Sequence, residues 1–284
     1  MVNDLPEPVI VDSHQHFWNY SELEYEWIDA SMPVLRRDFL PHDLAAETAS
    51  CGVSRTVAVQ ARTSLEETRW LLDLADNHPG IAAVVGWLPL QSGDAERELA
   101  PFVGSPKLAG VREVLQGCPA GAFLTPAFHE GIRCLTRHRL TYDILIYSDQ
   151  LAEACALADA HPEQVFVLDH IAKPKISAGE IEPWSSLIRE LARRPNVFCK
   201  VSGMVTEAAP PDCTPENLRR YFDLVLEAFG PSRLMFGSDW PVCLLRASYA
   251  EWLGWVRGWT RDWSPDEQAR FFNGTACQAY GLAH

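Results

Sequence analysis

His14 and His16 stand one residue apart in Val11-Asp-Ser-His-Gln-His-Phe-Trp18. In extended backbone, residues two apart face the same side, so both imidazoles point one way. Two imidazoles on one side can chelate a divalent metal, although a pair of hydrogen-bonded polar residues would show the same spacing. Two more residues share this setting. His170 follows the apolar run Val165-Phe-Val-Leu-Asp169, and Asp239 follows Arg233-Leu-Met-Phe-Gly237. Three histidines and an aspartate at three run ends would form a metal or acid–base centre if those ends shared one rim. Ser13 and Ser238 lie close by, but no Gly-x-Ser-x-Gly elbow holds either, which makes a serine nucleophile the weaker alternative.

Other side chains fall near the same run ends. Arg112 closes Leu108-Ala-Gly-Val-Arg112, where a guanidinium can grip a carbonyl or hydroxyl through paired donors, or else form a structural ion pair. Glu113 follows it, either as an added carboxylate ligand or as a solvated partner of Arg112. Lys200 interrupts the apolar Val197-Phe-Cys-Lys-Val201; a buried ammonium needs partners, and Asp239 and Asp169 are candidates. Trp18, Tyr147 and Trp240 offer aromatic faces that suit the C–H faces of sugars, with plain packing as the alternative. We take Trp18, Tyr147, Trp240 and Lys200 as candidate substrate contacts.

These residues need a scaffold. Eight short apolar, β-branched runs recur, at 8–12, 56–60, 82–86, 108–112, 142–146, 165–169, 197–201 and 233–237. Continuous apolar runs suit strands buried on both faces, as in parallel sheets. Helical periodicity occupies 65–77, 125–138, 149–160, 183–194 and 215–229, with start signals at Ser64, Asp149 and Thr214-Pro215. The alternation predicts an α/β fold, a (β/α)₈ TIM barrel in one domain over 1–284, whose active site lies at the C-terminal ends of the strands. An open doubly wound sheet is the runner-up, without a GxGxxG after the first strand to support it. Long loops at 17–41, rich in aromatics, and at 202–215 would leave that same face.

The motifs resemble those of the amidohydrolase superfamily, in its amidohydrolase-2 type. That pattern places His-x-His after the first strand, histidines after the fifth and sixth, and Asp after the eighth. His14, His16, His170 and Asp239 match it. The resemblance extends to the branch of L-fuconolactonases, L-rhamnonolactonases and 2-pyrone-4,6-dicarboxylate lactonases, through Arg37-Asp-Phe-Leu-Pro41, Gly110-Val-Arg112, Asp169-His-Ile-Ala-Lys-Pro174, Lys200-Val-Ser-Gly203 and Gly237-Ser-Asp-Trp-Pro241. The fifth run, Thr141 to Tyr147, departs from the pattern by ending without a histidine or lysine, so a bridged two-metal site is not expected.

The resemblance implies hydrolysis of a small-molecule sugar lactone of the L-fuconate type. Asp239 would be the general base, His170 would hold the carbonyl oxygen or the water, and Arg112 would polarise the carbonyl. It implies one divalent metal ion, zinc first, on His14, His16 and Asp239 with Glu113 and His170 as further ligands; metal-free catalysis also occurs in the branch. Alternatives are a dicarboxylate lactonase using Arg36, Arg37 and Arg246, a decarboxylase or hydratase, and a barrel that only binds a sugar acid.

Composition narrows the classes. The 284 residues carry 38 acidic and 24 basic side chains, a net charge of −14, which argues against nucleic acid and anionic membrane surfaces as partners. Ten Trp, twelve Phe and seven Tyr supply ample apolar area for a core. Eight scattered cysteines without a CxxC pair, and no signal-like N-terminus, lead us to expect reduced thiols and a cytoplasmic location.

Overall fold

The computed structural model describes residues 9–49 and 51–283. Strand and helix alternate along the chain: β1 (Ile10–Gln15), α1 (Pro41–Thr48), β2 (Val53–Val59), α2 (Leu65–Asn77), β3 (Ile81–Gly86), α3 (Ala95–Leu99), β4 (Leu108–Val114), α4 (Pro126–His138), β5 (Thr141–Leu145) and α5 (Leu151–Ala160). There follow β6 (Phe166–Leu168), α6 (Trp184–Ala192), β7 (Val197–Val201), α7 (Met204–Glu207), α8 (Pro215–Phe229), β8 (Leu234–Phe236), α9 (Tyr249–Thr260), α10 (Pro265–Ala269) and α11 (Thr275–Tyr280). The eight strands are parallel and ordered sequentially in one sheet. The sheet curls until β8 meets β1: Asp239 N donates to His14 O (2.8 Å) and His16 N to Trp240 O (2.7 Å). This is the (β/α)₈ barrel expected from the alternation.

All eight apolar runs are strands; Pro8 lies outside the described residues. α2 and α8 carry the side-chain caps their sequences signal, Ser64 Oγ accepting from Glu67 N at 3.1 Å and Thr214 Oγ1 from Asn217 N at 3.3 Å. The loop expected at 202–215 holds the short helix α7. The aromatic 17–41 segment folds back on itself through Trp18 and Phe39, whose backbones exchange hydrogen bonds at 2.9 Å.

Two apolar cores follow from strand alternation. Outward residues such as Ile10, Val111, Tyr142, Ile144 and Phe236 pack under the helices. Inward residues such as Val11, Val57, Val85, Val167, Phe198 and Met235 fill the barrel, and Ala276 and Tyr280 of α11 close its floor. Above this plug the interior becomes charged.

Two register irregularities decide which side chains reach that charged layer. One lies in β1 between Asp12 and Gln15, the other in β4 where Val84 and Val85 of β3 pair with Leu108 and Gly110. An extra residue flips the alternation beyond it. In β1 Val11 faces the barrel, yet past the irregularity His14 and His16 do so, while Gln15 turns out to bond Thr56 Oγ1 at 3.2 Å. In β4 the flip sends Arg112 inward and leaves Val111 and Leu115 among the outer core.

Candidate active site

His14 and His16 leave β1, His170 follows β6 and Asp239 follows β8, all at the C-terminal ends of the strands. His14 Nε2 lies 3.2 Å from His16 Nε2 and 3.7 Å from Asp239 Oδ1. His16 Nε2 is 3.3 Å and His170 Nε2 4.0 Å from the same carboxylate oxygen. All four residues brought together here are buried.

The second nitrogen of each imidazole is anchored. His16 Nδ1–H donates to Val59 O (2.8 Å), which turns Nε2 toward the cluster. His170 Nδ1 meets Ser202 Oγ at 2.9 Å, and His14 Nδ1 lies 3.3 Å from Asp169 Oδ1. Partners of this kind orient metal-ligating histidines and fix their tautomer. Burial pushes His14 well below its ordinary pKa and His170 down to about 4, against the pull of Asp169 and Asp239. Burial opposes ionisation of Asp239, but the imidazoles of His170, His16 and His14 hold its carboxyl below the usual carboxylate range. Imidazole nitrogens converging on a carboxylate fit a divalent cation: His14, His170 and Asp239 offer ligand atoms within 4.8 Å of one another, and His16 adjoins two of them.

The backbone that delivers these groups is unusual. His170, Ile171, Ala172 and Lys173 form a left-handed turn with φ of 53°, 50°, 60° and 46°, and Asp239 has φ 56°. Left-handed conformations cost non-glycine residues on the order of 1–3 kcal/mol each and cluster at functional sites. Gly203 (φ +64°) supports the turn, since a Cβ there would stand 2.5 Å from His170 Nδ1.

Beneath the cluster lies a buried charge network. Arg112 Nη1 donates to Asp169 Oδ2 (2.9 Å), approaches His14 Nε2 at 3.3 Å, and Nη2 donates to Gln60 O. Lys200 Nζ sits 2.5 Å from Asp143, 3.0 Å from Asp169 and 3.1 Å from His14 Nδ1. Tyr280 on the floor donates to Asp143 (2.8 Å). Burial raises Asp143 to about 6 despite Lys200; it also opposes ionisation of Asp169, which Lys200, His14 and Arg112 nonetheless hold well below its ordinary value.

A cleft of ≈ 450 Å³ opens over Arg112, His16, His170 and Asp239. Tyr147 lines it, 45% exposed. Several expected residues sit elsewhere. Glu113 faces away from the barrel on β4, toward Gln91, because the register irregularity turns only Arg112 inward. Trp18 and Trp240 are buried in an aromatic cluster with Phe39, and neither lines the cleft; Trp27 does. Lys200 pairs with Asp143 and Asp169 rather than Asp239, and lies below the cleft. Arg36 and Arg37 pair with Glu22 and Asp43, whereas Arg246 lines the cleft. Sequence reasoning passed over Asp143, Ser202, Lys173 and Glu207. A carboxylate inside the apolar run Thr141-Tyr-Asp-Ile-Leu145 carried the same signal as Lys200 in its own strand.

The chain matches the amidohydrolase family over residues 11–282. It is 40% identical to an L-fucono-1,5-lactonase of Burkholderia ambifaria over 278 residues, covering 96% of this chain and 95% of that protein. An L-fucono-1,5-lactonase of Burkholderia multivorans is also 40% identical, with 96% of each chain covered. Among solved structures, a zinc-bound amidohydrolase from Burkholderia multivorans superposes with a TM-score of 0.92 at 39% identity, covering 97% of this chain and all of that one. With this match from β1 to α11, the chain belongs to the amidohydrolase family.

Proposed function

We propose that this protein is a carboxylic-ester hydrolase that opens a sugar lactone ring, an L-fucono-1,5-lactone above all. The observation that carries the reading is the meeting of three histidines with the ionised Asp239 at the floor of a cleft sized for one small molecule, in a chain 40% identical over its length to L-fucono-1,5-lactonases.

Lactone opening needs a polarised carbonyl, a deprotonated water and a proton for the departing ring oxygen. Asp239 carries the proton: its carboxylate takes one from the attacking water and returns it to the ring oxygen as the ester bond breaks. Arg112 supplies polarisation; its Nη atoms are held by Asp169 and Gln60, while its buried Nε–H has no partner among the described residues. His170, braced by Ser202, holds the water or the carbonyl oxygen at the cleft floor. A divalent ion, zinc by preference, would be held by His14, His16, His170 and Asp239. When bound, such an ion polarises a carbonyl oxygen and lowers the pKa of water. Glu113 takes no part in this set. The protein is proposed to act in the cytoplasm on a small neutral substrate; no helix among the described residues is long and apolar enough to cross a membrane.

The test is acid release from a panel of aldonolactones and one dicarboxylate lactone, followed with a pH indicator. Rapid turnover of an L-fucono- or L-galactono-type lactone is expected. Acid release from the dicarboxylate lactone alone would point to the other lactonase chemistry, and none from any lactone would refute the reading.

A further inference from the structure

The left-handed turn that delivers His170 ends at Lys173, whose side chain reaches the cleft. Glu207, the last residue of α7, reaches it from the neighbouring loop. Their charged atoms stand 3.6 Å apart, and both side chains are about three-quarters buried. That gap exceeds the 2.7–2.9 Å of a direct ammonium–carboxylate hydrogen bond. Among the described residues, no third polar group fills the remaining donors of Lys173 Nζ or the remaining acceptors of Glu207. The two loops are pinned so that this spacing is built in: Ser177 Oγ donates to Glu207 O (2.8 Å), Lys173 N donates to His170 O (2.8 Å), and Gly203 packs against the His170 ring.

Resting on the lactonase reading, we infer that Lys173 and Glu207 form the subsite that reads the free ring hydroxyls of the lactone. A hydroxyl both donates and accepts. Two adjacent hydroxyls are therefore matched by one fixed cation beside one fixed anion, the ammonium donating to one oxygen and the carboxylate accepting from its neighbour. Glu207 is the cleft acid other than Asp239 among the described residues, and the remaining lining sets apolar Trp27, Met32 and Leu245 beside polar Gln116, Tyr147 and Arg246. The apolar side chains suit the methyl group of a deoxy-sugar lactone, and the adjacent cation and anion suit a pair of its hydroxyls. Both residues are specificity determinants and leave the proton transfer to Asp239.

The test compares wild type, Lys173→Met and Glu207→Gln on L-fucono-1,5-lactone and on its 2-, 3- and 4-deoxy analogues. On the parent lactone, each variant should lose between about 10- and 150-fold in kcat/KM, mostly through KM. On one analogue, or two adjacent ones, wild type should already be slow and the variants should match it within about threefold. Wild-type kcat/KM in both variants on the parent would overturn the inference while leaving the lactonase reading intact. An equal loss on the parent and all three analogues would also overturn it, marking the pair as structural. Absence of turnover by the wild type on every lactone would refute the lactonase reading and this inference with it.

Discussion

A carboxylate's surroundings separate the proposed general base from its neighbours. Asp239 is held ionised by imidazoles, whereas Glu113 is buried on the far side of β4 with Gln91 as its hydrogen-bond partner and, among the described residues, no partner for Oε2. Burial lifts Glu113 to about 7. Its folded-state pKa thus lies above the ordinary 4.5, so the fold keeps a proton that the unfolded chain releases. The stability this proton confers is full below pH 4.5 and is lost as pH rises through 7. Glu113→Gln should therefore be more stable than wild type at pH 8, by an amount on the order of 2 kcal/mol, and should show no gain below pH 4.5. Urea denaturation at the two pH values measures it. Because Glu113 lies away from the cluster, metal content and lactonase rate should stay at wild-type levels; a loss of bound metal would place it among the ligands after all.

At the scale of elements, the strand ends and the two register irregularities decide what the sequence discloses. The eight strands were legible because parallel strands buried on both faces read as unbroken apolar runs. α9 was not, since Gly254 and Gly258 interrupt it and its Trp residues at 252, 255 and 259 blur the polar face. His14, His16, His170 and Asp239 were legible as polar types at strand ends. Glu113 misled because the irregularity in β4 sets which of two adjacent residues faces inward, and no residue type signals it. Trp18 and Trp240 misled because aromatics beside site residues serve the outer packing equally well. The left-handed turn after β6 was hidden too, for Asp-His-Ile-Ala-Lys holds no glycine; its support, Gly203, comes from the next loop. Gly203→Ala brings a Cβ against His170 Nδ1 and strains a left-handed residue. We expect kcat to fall at least about tenfold, since small misplacements of a reacting group are costly, with KM changed by less than about threefold. Steady-state kinetics on a folded variant checks this, and an unchanged kcat would show that the His170 position tolerates movement.

Across the whole molecule, the barrel has an apolar lower plug and a charged upper layer, joined by Lys200. The lysine neutralises Asp143, tied to the floor through Tyr280, and Asp169, tied to the site through Arg112 and His14. Removing one partner of a buried ionic group costs about 3–5 kcal/mol, because the remaining charge stays buried. Lys200→Met should destabilise by that amount at pH 8. The loss should be smaller at pH 5, because Asp143, already raised to about 6 and raised further without the lysine, then takes up a proton. Denaturation curves at both pH values would show it, and an equal loss at each would mean that Asp143 does not titrate in the variant.

The assembly of barrel, turn and charge layer serves one proposed event, proton transfer at Asp239. The most direct measurement is kcat/KM on L-fucono-1,5-lactone for wild type and Asp239→Asn, with metal content and melting temperature recorded for both. A fall of about 10²–10⁴-fold in a folded, metal-retaining variant is the expected result for loss of a general base. Retention of wild-type kcat/KM in that variant would contradict the account.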